Sequence, residues 1–144
     1  MQVKEILRVK GSRLLSIEPS GRAVDAVSTM ADENLGSLVV TDQGRMLGML
    51  TFREILLALA RNRGALGETR VGDIMVRDPV TATPDMEVND LRRTMLETGA
   101  RYLPVVREGR LLGVISFRDV AKAVLEEQDF ENRMLKGYIK ESPA

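Results

Sequence analysis

The chain has 144 residues, of which 44% are apolar, 29% charged and 3% aromatic, and its 21 basic side chains are balanced by 21 acidic ones. This is enough for about one domain with a real core; the composition excludes a disordered or fibrous chain, and the zero formal net charge supplies no global field toward nucleic acid or an acidic membrane. Cysteine and histidine are both absent, which excludes disulfide frameworks, thiolate nucleophiles, Ser-His-Asp triads, imidazole metal sites and histidine pH switches.

The chain starts Met1-Gln2-Val3-Lys4-Glu5, a charged stretch with no apolar signal region. No apolar run approaches the roughly 20 residues of a membrane span, so a cytoplasmic location is expected. Val3 to Leu7 reads as one helical turn. Leu14 to Ile17 reads as a short strand closed by Pro19, which cannot donate to a ladder. Ala23 to Ala31 has apolar residues at helical spacing, and Leu38-Val39-Val40 is short and apolar enough for a buried strand. Asp42-Gln43-Gly44 then predicts a hairpin turn into a covered strand over Met46 to Leu50. Thr51 stands where an N-cap belongs, with Glu54 three residues on at capping-box spacing, so a helix is expected from Phe52 to about Asn62.

A polar stretch with two glycines, Asn62-Arg63-Gly64-Ala65-Leu66-Gly67-Glu68, follows as a linker. The same programme then runs again. Val71-Gly72-Asp73-Ile74-Met75 matches the opening turn, Val80 to Thr83 with Pro84 the first strand, and Met86 to Met95 the helix. Leu103-Pro104-Val105-Val106 and Leu111 to Ile115, joined by Arg107-Glu108-Gly109, match the hairpin, and Ser116 with Asp119 matches the capped helix start at Phe117. Gly44-Arg45-Met46-Leu47-Gly48-Met49-Leu50-Thr51-Phe52-Arg53-Glu54 and Gly109-Arg110-Leu111-Leu112-Gly113-Val114-Ile115-Ser116-Phe117-Arg118-Asp119 are offset by 109 − 44 = 65 residues without a gap. The opening turns are offset by 71 − 3 = 68, which places three extra residues near Lys10-Gly11-Ser12-Arg13. The chain is thus two half-size strand-helix-strand-strand-helix units, residues 1–62 and 71–126, with a linker at 63–70 and a helical extension at 127–144. The extension carries Leu125, Phe130, Met134, Leu135, Tyr138 and Ile139 at three- and four-residue steps. They could cover their own unit or form a dimer contact.

The repeated Ser/Thr-x-x-Asp/Glu has two readings. The first is a plain helix start; the second is an anion site formed by the free N–H groups, the hydroxyl and the neighbouring arginine. Laid side by side, the two copies resemble a tandem pair of cystathionine β-synthase (CBS) domains, a Bateman module. The resemblance rests on Val71 to Met75, Leu103 to Val106 and Gly113 to Asp119, with a weaker copy in the first unit, and spans about residues 3 to 126. Length and tail resemble small stand-alone bacterial proteins built of one CBS pair.

That resemblance implies an α/β (α+β) fold of two βαββα repeats related by a pseudo-twofold axis, with two clefts that bind adenine nucleotides, and further pairing into a homodimer. It implies that the acid of the motif accepts from ribose hydroxyls while the Ser/Thr donates to phosphate, which maps to Asp119 with Ser116 and to Glu54 with Thr51. It takes the opposite wall from the other repeat: Leu7, Arg8, Val9, Gly36 and Ser37 for the Asp119 cleft; Met75, Val76, Arg77, Arg101 and Tyr102 for the Glu54 cleft. Arg118 adjoins the helix start where phosphate would sit. Glu54 departs from the motif's Asp by one methylene, and only the second repeat matches Ser-x-x-Asp in full, so Asp119 is expected to make the better site; Val39, where the second repeat has Pro104, and the insertion before the first strand are expected to reshape the wall of the Asp119 cleft.

The sequence carries no nucleophile–base pair, metal cluster or Walker-type loop. The adenine ligand that the resemblance implies, AMP, ADP, ATP, NAD or S-adenosylmethionine, is therefore expected to be held rather than hydrolysed, by a non-enzymatic sensor that signals to a regulated protein. The competing readings are an enzyme using Asp119 or Glu54 as general base, a nucleic-acid binder through Arg61, Arg63, Arg70 and Arg77, and a purely structural pairing module. Scarce aromatics and the balanced charge argue against nucleic acid.

Overall fold

The computed structural model describes residues 1–11 and 14–141, the last four by backbone alone. Ser12 and Arg13 of the expected insertion, and the side chains of Tyr138 and Ile139 in the tail stripe, lie outside the described residues. The elements run α1 (Val3–Lys10), β1 (Ser16–Ile17), α2 (Ala23–Asp32), β2 (Ser37–Asp42), β3 (Arg45–Thr51), α3 (Phe52–Arg61), α4 (Val71–Ile74), β4 (Val76–Arg77), α5 (Val88–Thr98), β5 (Tyr102–Arg107), β6 (Arg110–Ser116) and α6 (Phe117–Glu141). The architecture is the expected mixed α/β one, with two sheets and a C-terminal helix.

Both hairpins close as two-residue turns whose central residues have positive φ: Gln43 (51°) and Gly44 (80°), Glu108 (51°) and Gly109 (77°). That pair of angles matches the right-handed twist of the flanking strands, and glycine carries it without a Cβ penalty. Register follows from the turns. Val40 faces Gly48 and Val105 faces Gly113, each followed by a bulge one residue on.

The leading helices are exchanged between repeats. Val3 and Ile6 of α1 belong to the core of the second repeat, with Leu91, Met95, Leu103, Ile115 and Val120. Val71 of α4 and the Met75 that follows it belong to the first repeat's core, with Met30, Leu38, Leu50 and Ile55. The backbone repeats the exchange: Val3 N–H donates to Met86 O and Lys4 N–H to Pro84 O, as Val71 N–H does to Gly21 O and Gly72 N–H to Pro19 O, each at 2.8–2.9 Å. Partners in the two sets are 65 or 68 residues apart, so the sequence period is also the pseudo-twofold relation in space.

The second repeat departs from the expected pattern at one strand. Val80 to Thr83 forms no strand; only Ala82 bridges, in parallel, to Val105. Pro79 and Pro84 lack donors on either side of it and Asp78 has a φ of 47°, so the extended run is too short for a ladder. An unexpected strand, β4, instead crosses to the first repeat and pairs with β3, giving a sheet of order β1-β2-β3-β4 against one of only β5-β6. The linker is not wholly solvated either, because Leu66 is buried against Ala23 and Ala58. The tail continues the helix that starts at Phe117: α6 runs unbroken for 25 residues to Glu141, and residues 142–144 of the expected extension lie outside the described residues.

Candidate functional site

Both motif pairs form capping boxes. Thr51 N–H donates to Glu54 Oε1 at 2.8 Å and the Thr51 hydroxyl to the same oxygen at 2.7 Å, while Arg53 N–H donates to Thr51 Oγ1 at 3.2 Å. In the second repeat Ser116 N–H donates to Asp119 Oδ2 at 2.9 Å and Asp119 N–H to Ser116 Oγ at 3.0 Å. The helix-start reading is therefore satisfied at both positions, and a ligand reading has to rest on what surrounds them. The surroundings differ.

Around Glu54 a cavity of about 880 Å³ opens between the repeats, within the range of small-molecule sites. The first repeat contributes Thr51, Phe52, Arg53, Glu54, Leu56 and Leu57 from the end of β3 and the exposed side of α3; the second contributes Val76, Pro79, Val80 and the Thr98 to Tyr102 segment that leads into β5. Of the residues expected for this cleft, Thr51, Glu54, Val76, Arg101 and Tyr102 line it. Met75 does not, being buried in the core, and Arg77 turns away to donate to Gly72 O at 3.3 Å. Glu54 is buried, 8% exposed. Phe52 and Leu56 were not expected; their signal is the apolar surplus of α3, which leaves both more than half exposed after Ile55 and Ala58 have filled the core.

Around Asp119 a side chain is already in place. Lys10 Nζ donates to Asp119 Oδ2 at 2.7 Å and to Val114 O at 2.9 Å. Burial raises the Asp119 carboxyl pKa, but hydrogen bonds from Lys10 and from the Ser116 backbone and hydroxyl, with the Lys10 charge, outweigh it and hold the group below its ordinary 3.8. Leu7 lies against Gly113, whose Cβ would come within 2.8 Å of it. Arg8, Val9 and Arg118 are exposed, Val9 at 85%. Gly36 and Ser37 are half-buried, and Gly36 meets Tyr102 and Phe52 of the other cleft, where a Cβ would overlap the Tyr102 hydroxyl. Gly36, expected on the wall of this cleft, thus lies against side chains of the Glu54 cleft, while the Asp119 carboxylate faces Lys10.

A lowered native pKa means that the Asp119 contribution is fully present above the unfolded value and is lost as pH falls through the native one. The stability difference between wild type and Lys10→Met, read by urea unfolding, should be constant above about pH 5 and shrink below about pH 4. A difference that grows on acidification would contradict the ion pair.

Residues 3–61 and 71–126 each match the CBS domain family. The chain belongs to it. An uncharacterised 17.7 kDa protein of Acidianus ambivalens is 36% identical over 124 residues, covering 85% of this chain and 74% of that one. The CBS domain-containing protein YhcV of Bacillus subtilis is 31% identical over 110 residues, 76% and 78% of the two chains. Of an uncharacterised Methanocaldococcus jannaschii protein, 31% identical, the chain spans only 48%. A CBS-domain containing protein from Agrobacterium tumefaciens has the same fold, with a TM-score of 0.82 at 31% identity over 85% of this chain and 98% of that one. CBSX2, solved in complex with AMP, gives 0.75 at 25% identity over 88% and 98%. Among the described residues no helix is long and apolar enough to cross a membrane, and no cluster of three metal-ligating side chains occurs.

Proposed function

We propose that this CBS pair is a regulatory module that binds an adenine nucleotide in the cleft at Glu54 and holds it without turnover. The observation that carries the reading is the 880 Å³ cavity with walls from both repeats. Glu54 Oε1 is taken by Thr51, which leaves Oε2 to meet ribose hydroxyls. The start of α3, with Arg53 beside it, faces the phosphate, and Phe52, Leu56, Val76 and Val80 give the base an apolar bed. AMP bound to CBSX2 supports adenine as the base, with AMP, ADP, ATP and NAD as candidates. Although Asp119 matches the family motif better, its cleft is the weaker candidate here, because Lys10 holds its carboxylate.

Calorimetry with AMP is expected to show a site that survives Asp119→Ala, and Glu54→Ala should weaken it by about 1.5–3 kcal/mol, the cost of losing hydrogen bonds to a charged acceptor. AMP affinity unchanged in Glu54→Ala would refute the assignment. A nucleotide bridging both repeats should also raise the melting temperature, since ligand at a hundredfold excess over Kd stabilises by about 2.7 kcal/mol. Nucleotide recovered intact after long incubation separates holding from hydrolysis, and salt-insensitive failure to shift RNA or DNA disposes of a nucleic-acid role.

Homodimerisation belongs to the same reading. A hexameric CBS-CP12 protein is among the structural neighbours, at a TM-score of 0.73. In this chain the part of α6 beyond the second repeat's core leaves Phe130 65% and Met134 62% exposed, with Leu125 and Leu135 alike, a stripe of the kind that marks contacts. Light scattering should give twice 16.0 kDa at micromolar concentration, and a monomer mass there would disprove it.

A further inference from the structure

The two clefts differ in the element that covers the edge strand beside the motif acid, and the difference falls on one side chain. In the first repeat β4 pairs with β3, Met49 facing Val76 and Gly48 facing Arg77. By the 68-residue offset the counterparts of Val76 and Arg77 are Arg8 and Val9, and by the 65-residue offset the counterparts of Gly48 and Met49 are Gly113 and Val114. Arg8 and Val9 are still helical, because α1 runs on to Lys10 where α4 stops at Ile74, so they lay no strand on β6. The edge carbonyl at Val114 takes its donor from Lys10 Nζ, 2.9 Å away, and the same ammonium reaches Asp119 Oδ2 at 2.7 Å. The position corresponding to Lys10 in the second repeat is Asp78, which is exposed and brings no cation toward Glu54.

We infer that Lys10 is a tethered competitor for ligand at the Asp119 cleft: its ammonium occupies the carboxylate oxygen that a ribose hydroxyl would need, so the module takes one nucleotide, at Glu54, while Lys10 stays in place. This rests on the nucleotide-binding reading above and adds the residue that makes the two sites unequal. A neutral hydroxyl is a poor replacement for an ammonium: the carboxylate makes either hydrogen bond charge-assisted, but only the ammonium adds the attraction of an opposite full charge. Displacement also strips the Val114 carbonyl of its donor, and Lys10 has no search to make, since α1 is anchored in the second repeat's core by Val3 and Ile6.

The test is calorimetric titration of the full chain with AMP. Wild type should bind one per chain, Lys10→Met two, and Lys10→Met/Asp119→Asn one again, with the second site at least about tenfold tighter than any residual wild-type binding there. Lys10 is 39% exposed on its side chain, so either Lys10→Met or Lys10→Gln should fold; melting curves verify this, and Lys10→Gln substitutes if Lys10→Met does not fold. Two comparable sites in wild type overturn the competitor role. So does a single site that survives Asp119→Asn and gains no companion when Lys10 is neutralised, a result that leaves the nucleotide reading standing. AMP bound by none of the variants removes both.

Discussion

Gly48→Ala is expected to unfold the protein on the order of 5–10 °C earlier and to abolish the cleft at Glu54, from an overpacking cost of about 1–3 kcal/mol or somewhat more. A Cβ on Gly48 would lie 2.1 Å from the carbonyl oxygen of Val76 and 3.1 Å from its carbonyl carbon. These are backbone atoms of β4, so no rotamer change relieves the overlap; β4 must lift away from β3. Val76, Pro79 and Val80 line the cavity, and they would move with it. Gly113→Ala is the internal control. It is the symmetry counterpart, but its Cβ meets only the tip of Leu7 at 2.8 Å, which a side-chain rotation can relieve. Melting curves and AMP titration of the two variants should separate, Gly48→Ala losing stability and ligand together. Equal effects would mean that the β3–β4 junction does not shape the cleft.

Ile6→Ala and Val71→Ala should act on the opposite repeat from the one in which they lie. Ile6 is 7% exposed within the second repeat's core and Val71 is fully buried in the first repeat's. Truncating a buried Ile costs about 2–5 kcal/mol, transfer and cavity terms together, and the smaller Val71 should cost about half that. Local opening follows lost packing. Hydrogen exchange should therefore show Ile6→Ala deprotecting β5 and β6 ahead of β2 and β3, and Val71→Ala the reverse. Deprotection confined to the repeat that contains each substitution would rule out the exchange of leading helices.

Sequence alone determined the features whose causes are local. Turn residues at Gln43-Gly44 and Glu108-Gly109 fix two hairpins and their register, and an acid three residues after a hydroxyl fixes two helix starts, because each device closes within four residues. The 65-residue period adds the family and its two repeats. Through that resemblance Thr51, Glu54, Val76, Arg101 and Tyr102 could be assigned to one cleft before any coordinates, whereas Phe52, Leu56 and Val80 could not, since an exposed apolar side chain has the same spacing as a buried one. What only the tertiary structure decided depends on groups far apart in the chain. β4 exists because Gly48 lets the Val76 carbonyl approach, and two residues carry no strand signal of their own. The absence of such a strand on β6 follows from α1 staying helical through Arg8 and Val9, which delivers Lys10 to a carboxylate 109 positions away. Asp119 has the better motif and Glu54 the open cleft, because a motif records which groups a chain offers while packing decides which of them already have partners.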